Sequence, residues 1–328
     1  MRVVTVEQSS EKRPGPDSLR LTEAQRPTPA EGEVLVRTVA SGVNRADLLQ
    51  RQGLYPPPKG ITDVMGLEAS GVIAEVGPGV SDWQVDDEVV ALLSGGGYAE
   101  YFVVPAGQVI RPPAGIDLVT AGTLIEVAAT VVSNADHVHL SQGETFLVHG
   151  GAGGIGSFAI QYAKHLGCRV AVTAGTAEKL QYCRDRGADI ALDYHEDWVA
   201  GLKQATDGHG ADVILDIMGA KYLEPNVDAL APDGRVVTIG MQGGTKGTLD
   251  FGRLLAKRGT VTATGLRFRS IEQKSEICRR VAEVVWPLYE SGVIKPAPVE
   301  RFPIADVAQA HARLESGEVS GKLVLVHE

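Results

Sequence analysis

A glycine-rich turn between an apolar run and an amphipathic segment constrains this chain more than any other stretch. Residues 143–164 read GETFLVHGGAGGIGSFAIQYAK. The apolar run at 145–149 predicts a strand, and the periodicity after the glycines predicts a helix. Gly151, Gly153 and Gly156 form G-x-G-x-x-G, which binds dinucleotides when a strand precedes it and a helix follows it. Glycine lets the backbone approach a pyrophosphate, whose charge the N–H groups of the helix N-terminus stabilise. The segment therefore predicts a dinucleotide site.

The chain after residue 123 alternates apolar runs with helical patterns. This alternation predicts parallel strands joined by right-handed crossovers. Six strands of this kind are typical of a Rossmann doubly wound sheet. The predicted strands are 145–150, 168–174, 189–194, 212–217, 235–240 and 260–265, and the predicted helices are 154–166, 177–186, 196–205, 221–230 and 251–258.

Both ends of the chain differ from this middle part. Short β-prone runs at 34–43, 69–77, 87–93 and 99–104, separated by Pro and Gly, predict a compact β domain with one helix at 44–53. The tail has helical patterns at 270–292 and 304–317 and a strand at 321–326. We therefore predict a first domain part at 1–123, an inserted nucleotide domain at 124–265, and a tail at 266–328 that rejoins the first part.

Composition and charge exclude several classes of partner. The 328 residues carry a net charge of -10, which argues against binding to nucleic acid or to an anionic membrane. No apolar run is long enough for a membrane span, and no secretory signal is evident. The three cysteines are scattered, which favours the reducing cytoplasm over a disulfide-bonded protein.

The motifs resemble those of a known family. Gly143-Glu144-x-x-Leu147, the glycine motif, Gln161 and Lys164 together resemble the signature of the zinc-independent quinone oxidoreductases, the zeta-crystallin branch of the medium-chain dehydrogenase/reductase superfamily. The segments 44–58, 66–71, 91–101, 173–180, 216–219 and 321–326 resemble the same family. The resemblance implies a Rossmann domain inserted into a GroES-like β-barrel catalytic domain.

The end of the second Rossmann strand bears on cofactor choice. Enzymes that use NAD place an acid there for the ribose 2′-hydroxyl, whereas this chain has Ala174 and Gly175. Lys179 offers a positive charge, and Thr176 a hydroxyl, to a 2′-phosphate. The resemblance implies that Lys179 and Tyr194 contact this phosphate. We therefore expect NADPH, although Lys179 could instead be a solvated helix lysine, and Glu178 could instead bind a 2′-hydroxyl.

The ligands of a catalytic zinc site are missing. Zinc-dependent alcohol dehydrogenases of the superfamily carry G-H-E, whereas this chain has Gly66-Leu67-Glu68, and no cysteine precedes Cys168. Leucine cannot bind zinc, and none of the eight histidines has cysteine or carboxylate at ligand spacing. We therefore expect no metal, and a substrate that accepts hydride without a Lewis acid, such as a quinone.

Three polar side chains are the predicted catalytic residues: Asn44, Asp47 and Tyr55. The resemblance implies that Asn44 and Tyr55 line the quinone site in the cleft between the domains. Tyr55 could donate a hydrogen bond to the acceptor carbonyl as negative charge develops there. Asn44 could instead cap the following helix, and Tyr55 could instead pack in a turn. The final proton is expected to come from solvent.

The remaining cofactor contacts come from the resemblance. The phosphates are expected at Gly153–Gly156. The other expected contacts are Gly154, Ile155, Thr130, Met218, Gly240, Met241, Leu266, Phe268 and Lys322. The family usually has Pro-Glu ahead of the threonine, whereas this chain has Ile125-Glu126, so the shape of the substrate pocket is open.

Two other functions remain open at this stage. Reduction of the C=C bond of 2-enals or 2-enones with NADPH needs the same residues. A non-catalytic, crystallin-like NADPH-binding protein is also possible. The resemblance implies a homodimer, or a dimer of dimers, formed through the last Rossmann strand at 260–265.

Overall fold

The computed structural model describes residues 1–7 and 12–327. Contacts divide the chain into two compact units. Unit 1 comprises Met1–Ala129 and Leu266–Glu328, and unit 2 comprises Thr130–Gly265. Unit 2 is therefore an insertion in the sequence of unit 1. The boundaries at 123/124 and 265/266 that we expect from the sequence stay a prediction.

The first segment of unit 1 consists of short strands with few helices. Its strands are β1 (Arg2–Val6), β2 (Leu19–Glu23), β3 (Glu33–Val43), β4 (Glu68–Val76), β5 (Glu88–Leu92), β6 (Tyr101–Pro105) and β7 (Val109–Ile110). Its helices are α1 (Arg45–Arg51), α2 (Leu118–Ala121) and the first part of α3 (Ile125–His137). The four predicted β-prone runs correspond to β3, β4, β5 and β6, and the predicted helix corresponds to α1. The sequence analysis missed the antiparallel pair β1–β2.

Unit 2 has the predicted strand–helix alternation. Its strands are β8 (Thr145–His149), β9 (Arg169–Ala174), β10 (Ile190–Asp193), β11 (Ala211–Asp216), β12 (Leu230–Thr238) and β13 (Thr260–Ala263). Its helices after α3 are α4 (Gly154–His165), α5 (Ala177–Asp185), α6 (Trp198–Ala205), α7 (Leu223–Ala229) and α8 (Phe251–Lys257). Each predicted strand and helix of this part is confirmed.

The six strands of unit 2 form one parallel sheet in the order β10-β9-β8-β11-β12-β13. This is the 3-2-1-4-5-6 order of the dinucleotide-binding fold, in which successive strands are added on one side of the first strand and then, from the fourth strand on, on its other side. β8 is buried along its whole length, as expected of a central parallel strand. The Rossmann prediction is therefore confirmed, and the glycine motif follows the central strand.

The tail returns to unit 1. Its elements are α9 (Ile271–Val284), α10 (Trp286–Glu290), β14 (Val299–Pro303), α11 (Val307–Glu315) and β15 (Lys322–Val326). β15 pairs antiparallel with β3, and β14 pairs with β15 at the sheet edge. The helical pattern predicted at 270–292 forms two helices that are separated at Val285, because Pro287 lacks the N–H that would continue the hydrogen bonds of α9. Unit 1 thus has a seven-stranded sheet built from both ends of the chain.

Candidate active site

The glycine motif joins β8 to α4 in unit 2. A Cβ on Gly151 would lie 2.8 Å from Cys183 Sγ, and a Cβ on Gly156 would lie 2.5 Å from the carbonyl oxygen of Gly150. These two glycines therefore allow the turn and the helix to pack closely. Gly153 is different, because a Cβ on it would lie 3.6 Å from its nearest neighbour, the carbonyl oxygen of Gly150. Gly153 is the extended residue before the helix, and the first N–H groups of α4, from Gly154, Ile155 and Gly156, have no helical acceptor. This cradle fits the pyrophosphate of a dinucleotide.

The second predicted group of cofactor residues lies at the carboxyl ends of β9 and β10. Gly175 follows β9, and the ring of Tyr194 lies directly over it, in the space that a Cβ would occupy. Thr176 caps α5, where its hydroxyl accepts a hydrogen bond from the Lys179 N–H at 3.2 Å. The structure therefore brings Gly175 and Tyr194 into contact, with Thr176 and Lys179 in the adjoining first turn.

Glu178 is the carboxylate that could favour a 2′-hydroxyl over a 2′-phosphate. It lies in the same first turn of α5. Its own backbone N–H and the Thr176 hydroxyl lower the pKa of its carboxyl group. These contacts hold the carboxylate on its own helix terminus, which is a common way for an acid to satisfy free N–H groups.

A third group lies beyond β11 and β12. The Asp216 carboxylate accepts hydrogen bonds from the N–H groups of Met218 (2.7 Å) and Gly219 (3.0 Å) and from the Thr238 hydroxyl (3.1 Å). A Cβ on Gly219 would lie 3.1 Å from the Gly240 oxygen and 3.2 Å from Met241 Cα. The structure thus brings together Met218, Gly240 and Met241. Asp216 therefore holds the backbone of the turn after β11.

Thr130 also belongs to unit 2, but it lies on helix α3 and not at the end of a strand. It is a buried residue of α3, and its carbonyl oxygen accepts a hydrogen bond from Asn134 Nδ2 at 2.7 Å. The sequence analysis did not predict α3. Its polar residues Glu126, Thr130, Ser133 and His137 recur at helical spacing, so the periodicity that predicts a helix is present in the sequence and was overlooked.

In unit 1, Asn44 lies in a buried polar cluster with Glu68 and Lys322. Lys322 Nζ lies 2.6 Å from both Asn44 Oδ1 and Glu68 Oε1, and the Asn44 amide donates to Glu68 Oε1 at 3.0 Å. The other Glu68 oxygen accepts the N–H of Glu126 at 3.0 Å. Lys322, an expected cofactor contact, is 5% exposed and forms a buried ion pair here. The sequence analysis treated Glu68 only as part of the altered zinc motif and missed this pairing.

Asp47 is fully buried beside this cluster. Its carboxylate accepts the N–H of Asn44 at 2.8 Å and the N–H of Gly66 at 3.1 Å. Burial raises the pKa of Asp47 to about 6, against the opposing effect of these hydrogen bonds and of the positive charge of Lys322. Gly66 has a φ of +99°, a conformation that favours glycine. Asp47 therefore fixes the start of α1 against the turn before β4.

Tyr55 is half-buried among residues from the tail. Its ring meets Phe268 edge-on at 5.4 Å, and the Arg267 guanidinium lies 5.2 Å from the ring centroid. Burial raises the pKa of Tyr55 to about 12. Within residues 1–7 and 12–327, its hydroxyl makes no hydrogen bond. The structure therefore groups Tyr55 with Phe268, two residues after Leu266 in the sequence, while Asn44 and Asp47 lie in or beside the polar cluster. Arg267 is a neighbour that the sequence analysis missed.

Two kinds of feature are absent from the described residues. Across the described ranges, no three His, Cys, Asp or Glu side chains are grouped so that they could hold a metal ion. In the same part of the chain, no helix has the length and apolar character needed to cross a membrane.

Comparison with known proteins places the chain in a family. Residues 30–114 match the family model for the alcohol dehydrogenase GroES-like domain, and residues 154–283 match that for a zinc-binding dehydrogenase. The chain is 33% identical to a quinone oxidoreductase of Pseudomonas aeruginosa over 316 residues, which cover 95% of this chain and 96% of that protein. The chain belongs to the quinone oxidoreductase family of the medium-chain dehydrogenases/reductases. The resemblance and the GroES-like and Rossmann fold class are thereby confirmed.

Two other relatives of this chain have names that refer to different substrates. A 2-haloacrylate reductase of a Burkholderia species is 30% identical and covers 96% of this chain and 97% of that protein. The structure of Escherichia coli quinone oxidoreductase complexed with NADPH has a TM-score of 0.88 at 31% identity, covering 99% of this chain and 100% of that one. Relatives named as oxidoreductases thus span the chain, and the protein is an oxidoreductase.

The packing of the glycine motif yields a stability prediction. We expect Gly156→Ala to lower the free energy of unfolding by about 1–3 kcal/mol, because its Cβ would meet backbone atoms that cannot move aside. Alanine would otherwise favour the helix by about 1 kcal/mol. Urea unfolding measures the change. Gly153→Ala is the control, with an expected change under about 0.5 kcal/mol; equal losses in both variants would contradict this account.

The burial of Asp47 yields a pH prediction. A folded-state pKa of about 6, above the ordinary 3.8, means that stability is lost as pH rises from about 4 through 6. Asp47→Asn has no such titration. We expect the stability of the unchanged protein relative to this variant to fall by about 2 kcal/mol between pH 4.5 and pH 7. Urea unfolding across this range tests it, with exposed Asp63→Asn as control. A constant difference would show that the pKa of Asp47 is not raised.

Proposed function

We propose that this protein is an NADPH-dependent quinone reductase that transfers hydride without a metal. The observation that carries the proposal is the full-length similarity to the quinone oxidoreductases of Pseudomonas aeruginosa and Escherichia coli. The residues of each unit are chemically suited to this reaction, and the roles given to them below are part of the proposal.

The cofactor residues are those of unit 2. Gly153 and the first N–H groups of α4 would hold the pyrophosphate. Lys179, Thr176 and Tyr194 would hold the 2′-phosphate, since the strand end at Ala174 and Gly175 carries no acid to repel it. Bound NADPH supplies a hydride, which with one proton converts a quinone to a hydroquinone. Thr130, Met218, Gly240 and Met241 of this unit, and Leu266, Phe268 and Lys322 of unit 1, remain proposed contacts.

Tyr55 is the proposed hydrogen-bond donor to the acceptor. An acceptor oxygen gains negative charge as hydride arrives, and a fixed donor stabilises that charge. The Tyr55 hydroxyl suits this task, because no residue of the described chain takes its proton in a hydrogen bond. With a pKa of about 12, the phenol stays protonated at any pH at which the enzyme would work. The final proton of the hydroquinone would come from solvent.

Asn44 and Asp47 are proposed to act through position. The Asn44 side chain is held between Glu68 and Lys322, and both Asp47 oxygens accept backbone N–H groups. Neither Asp47 oxygen is exposed, so Asp47 would fix the loop that presents Asn44 to the acceptor. Asn44 would then line the acceptor site, whereas Asp47 would only hold the backbone of Asn44 in place.

Reduction of an activated C=C bond is the second candidate. The observation that favours it is the 30% identity to the 2-haloacrylate reductase of a Burkholderia species. The proposed donor and cofactor residues would serve either reaction, because both deliver hydride to a carbon conjugated with an electron-withdrawing group.

The protein is also proposed to be a cytoplasmic homodimer. β13 lies at one edge of the six-stranded sheet, so its outer N–H and C=O groups can pair with a second copy. The predicted partners are thus a small quinone or enone acceptor and a second copy of this chain. Its net charge of -10 disfavours nucleic acid and anionic membranes.

A panel of acceptors tests the reaction. We expect NADPH oxidation with 1,2-naphthoquinone to have a kcat/KM at least tenfold higher than with any 2-enal or 2-haloacrylate. Steady-state absorbance at the NADPH band measures both, with NADH as the comparison cofactor. Faster reduction of an enal would favour the second candidate. NADPH binding without turnover of any acceptor would favour a non-catalytic protein.

Substitution of Tyr55 tests the proposed donor. We expect Tyr55→Phe to lower kcat/KM for the quinone by about 10–100-fold, because the ring stays in place while the hydroxyl is lost. The dissociation constant for NADPH, from fluorescence titration, should stay within twofold. Tyr101→Phe, a β6 residue outside the proposed site, is the matched control and should keep full activity. Unchanged kinetics in Tyr55→Phe would remove Tyr55 from the mechanism.

A further inference from the structure

Arg267 is a buried cation that contacts three separate segments of unit 1. Its side chain is 3% exposed. Nε donates to the carbonyl oxygen of Ser94 at 2.8 Å, and Nη1 donates to the carbonyl oxygen of Tyr55 at 3.0 Å. Nη2 donates to the side-chain oxygen of Gln50 at 2.7 Å. A planar guanidinium holds such donors in fixed relative directions. Arg267 therefore ties the end of α1, the Tyr55 loop and the segment after β5 to one another.

No carboxylate balances this charge directly. Across residues 1–7 and 12–327, no Asp or Glu oxygen lies within 4.0 Å of the Arg267 guanidinium. Asp47 attracts the guanidinium only from beyond this distance, and burying a charge without a contacting counterion is costly unless hydrogen bonds compensate. All three protein acceptors here are neutral oxygens. A neutral side chain of similar size would avoid the cost, so the value of arginine at this position lies in the directions of its hydrogen bonds.

The Tyr55 loop depends on Arg267 because it has few other anchors. Tyr55 is followed by Pro56, Pro57 and Pro58, which have no N–H to donate, and it belongs to no helix or strand. The backbone hydrogen bond from Leu54 N–H to the Leu49 oxygen is the nearest fixed point before it. Arg267 binds the Tyr55 carbonyl and also lies against its ring at 5.2 Å, within the range of a cation–π contact. Phe268, the next residue, meets the same ring edge-on.

We propose that Arg267 is a positioning residue that sets the direction of the Tyr55 hydroxyl toward the acceptor. One side chain fixes both the backbone and the ring of Tyr55, which leaves the hydroxyl little freedom. This inference rests on the proposed role of Tyr55 in quinone reduction. It assigns Arg267 no contact with the acceptor or the cofactor.

A double-mutant cycle with Tyr55 tests the assignment. We expect Arg267→Gln to lower kcat/KM for 1,2-naphthoquinone by about tenfold, while the NADPH dissociation constant stays within twofold. In the Tyr55→Phe background the same substitution should change kcat/KM by less than about twofold, because there is no hydroxyl left to position. Arg269→Gln, two residues along the same segment, is the matched control and should behave like the unchanged protein.

Arg267→Lys separates geometry from charge. Lysine keeps the positive charge but offers a single point of donation in place of the fork. We expect its kcat/KM to be as low as that of Arg267→Gln. Full activity in Arg267→Lys would show that charge alone matters and would overturn the assignment.

The other outcomes are also decisive. Losses that multiply in the double variant would mean that Arg267 acts independently of Tyr55, which overturns this inference and leaves the proposed function standing. Unchanged activity in Tyr55→Phe alone would overturn the role of Tyr55 itself. If Arg267→Gln does not fold, Arg267→Lys completes the same cycle. Failure of both to fold would overturn the assignment, because a positioning residue leaves the fold intact.

Discussion

The buried ion pair between Glu68 and Lys322 links parts of unit 1 that are far apart in sequence. Glu68 begins β4 and Lys322 begins β15, and 254 residues separate them. Through the same carboxylate the pair also reaches Asn44, which precedes α1, and the N–H of Glu126 in α3. Removing one partner of such a pair leaves an uncompensated buried charge, which typically costs about 3–5 kcal/mol. The pair therefore fixes the return of the chain after unit 2 as well as the loop that carries Asn44.

Glycine performs two different tasks around the dinucleotide motif. Gly151 and Gly156 are small because protein atoms occupy the space where a side chain would lie. A Cβ on Gly153 would make only an ordinary van der Waals contact, and the neighbouring N–H groups of α4 are unpaired within the helix. Gly175 follows the first pattern, since Tyr194 covers it. The motif thus combines close packing, which holds α4 against β8, with one uncrowded position suited to an anion.

The local parts of the fold were predictable from sequence, and the long-range parts were not. The strands and helices of unit 2 follow from periodicity, because each element repeats its pattern over several residues. Helix α3 was overlooked although its polar residues recur at helical spacing. Strand β14 was missed because its short run is largely exposed and carries Glu300, Arg301 and Pro303. The contacts of Arg267 with Ser94 and Tyr55 span 173 and 212 residues. No spacing within a sequence encodes such a contact, so only the folded chain reveals which polar residues meet.

The segment Gly66-Leu67-Glu68 has a different significance in the sequence and in the folded chain. In sequence it is notable for the leucine that replaces a histidine ligand. In the folded chain Gly66 donates its N–H to Asp47, Leu67 is buried, and Glu68 bonds to Lys322, Asn44 and the Glu126 N–H. The chain itself supplies the cation that Glu68 requires. A lysine in this position brings a fixed positive charge without an open coordination site, so it can organise the loop before α1 but cannot bind an acceptor oxygen as a metal ion would. In the proposed reaction the stabilisation of charge on the acceptor falls to hydrogen-bond donors, and the phenol of Tyr55 makes no hydrogen bond to another residue of the described chain.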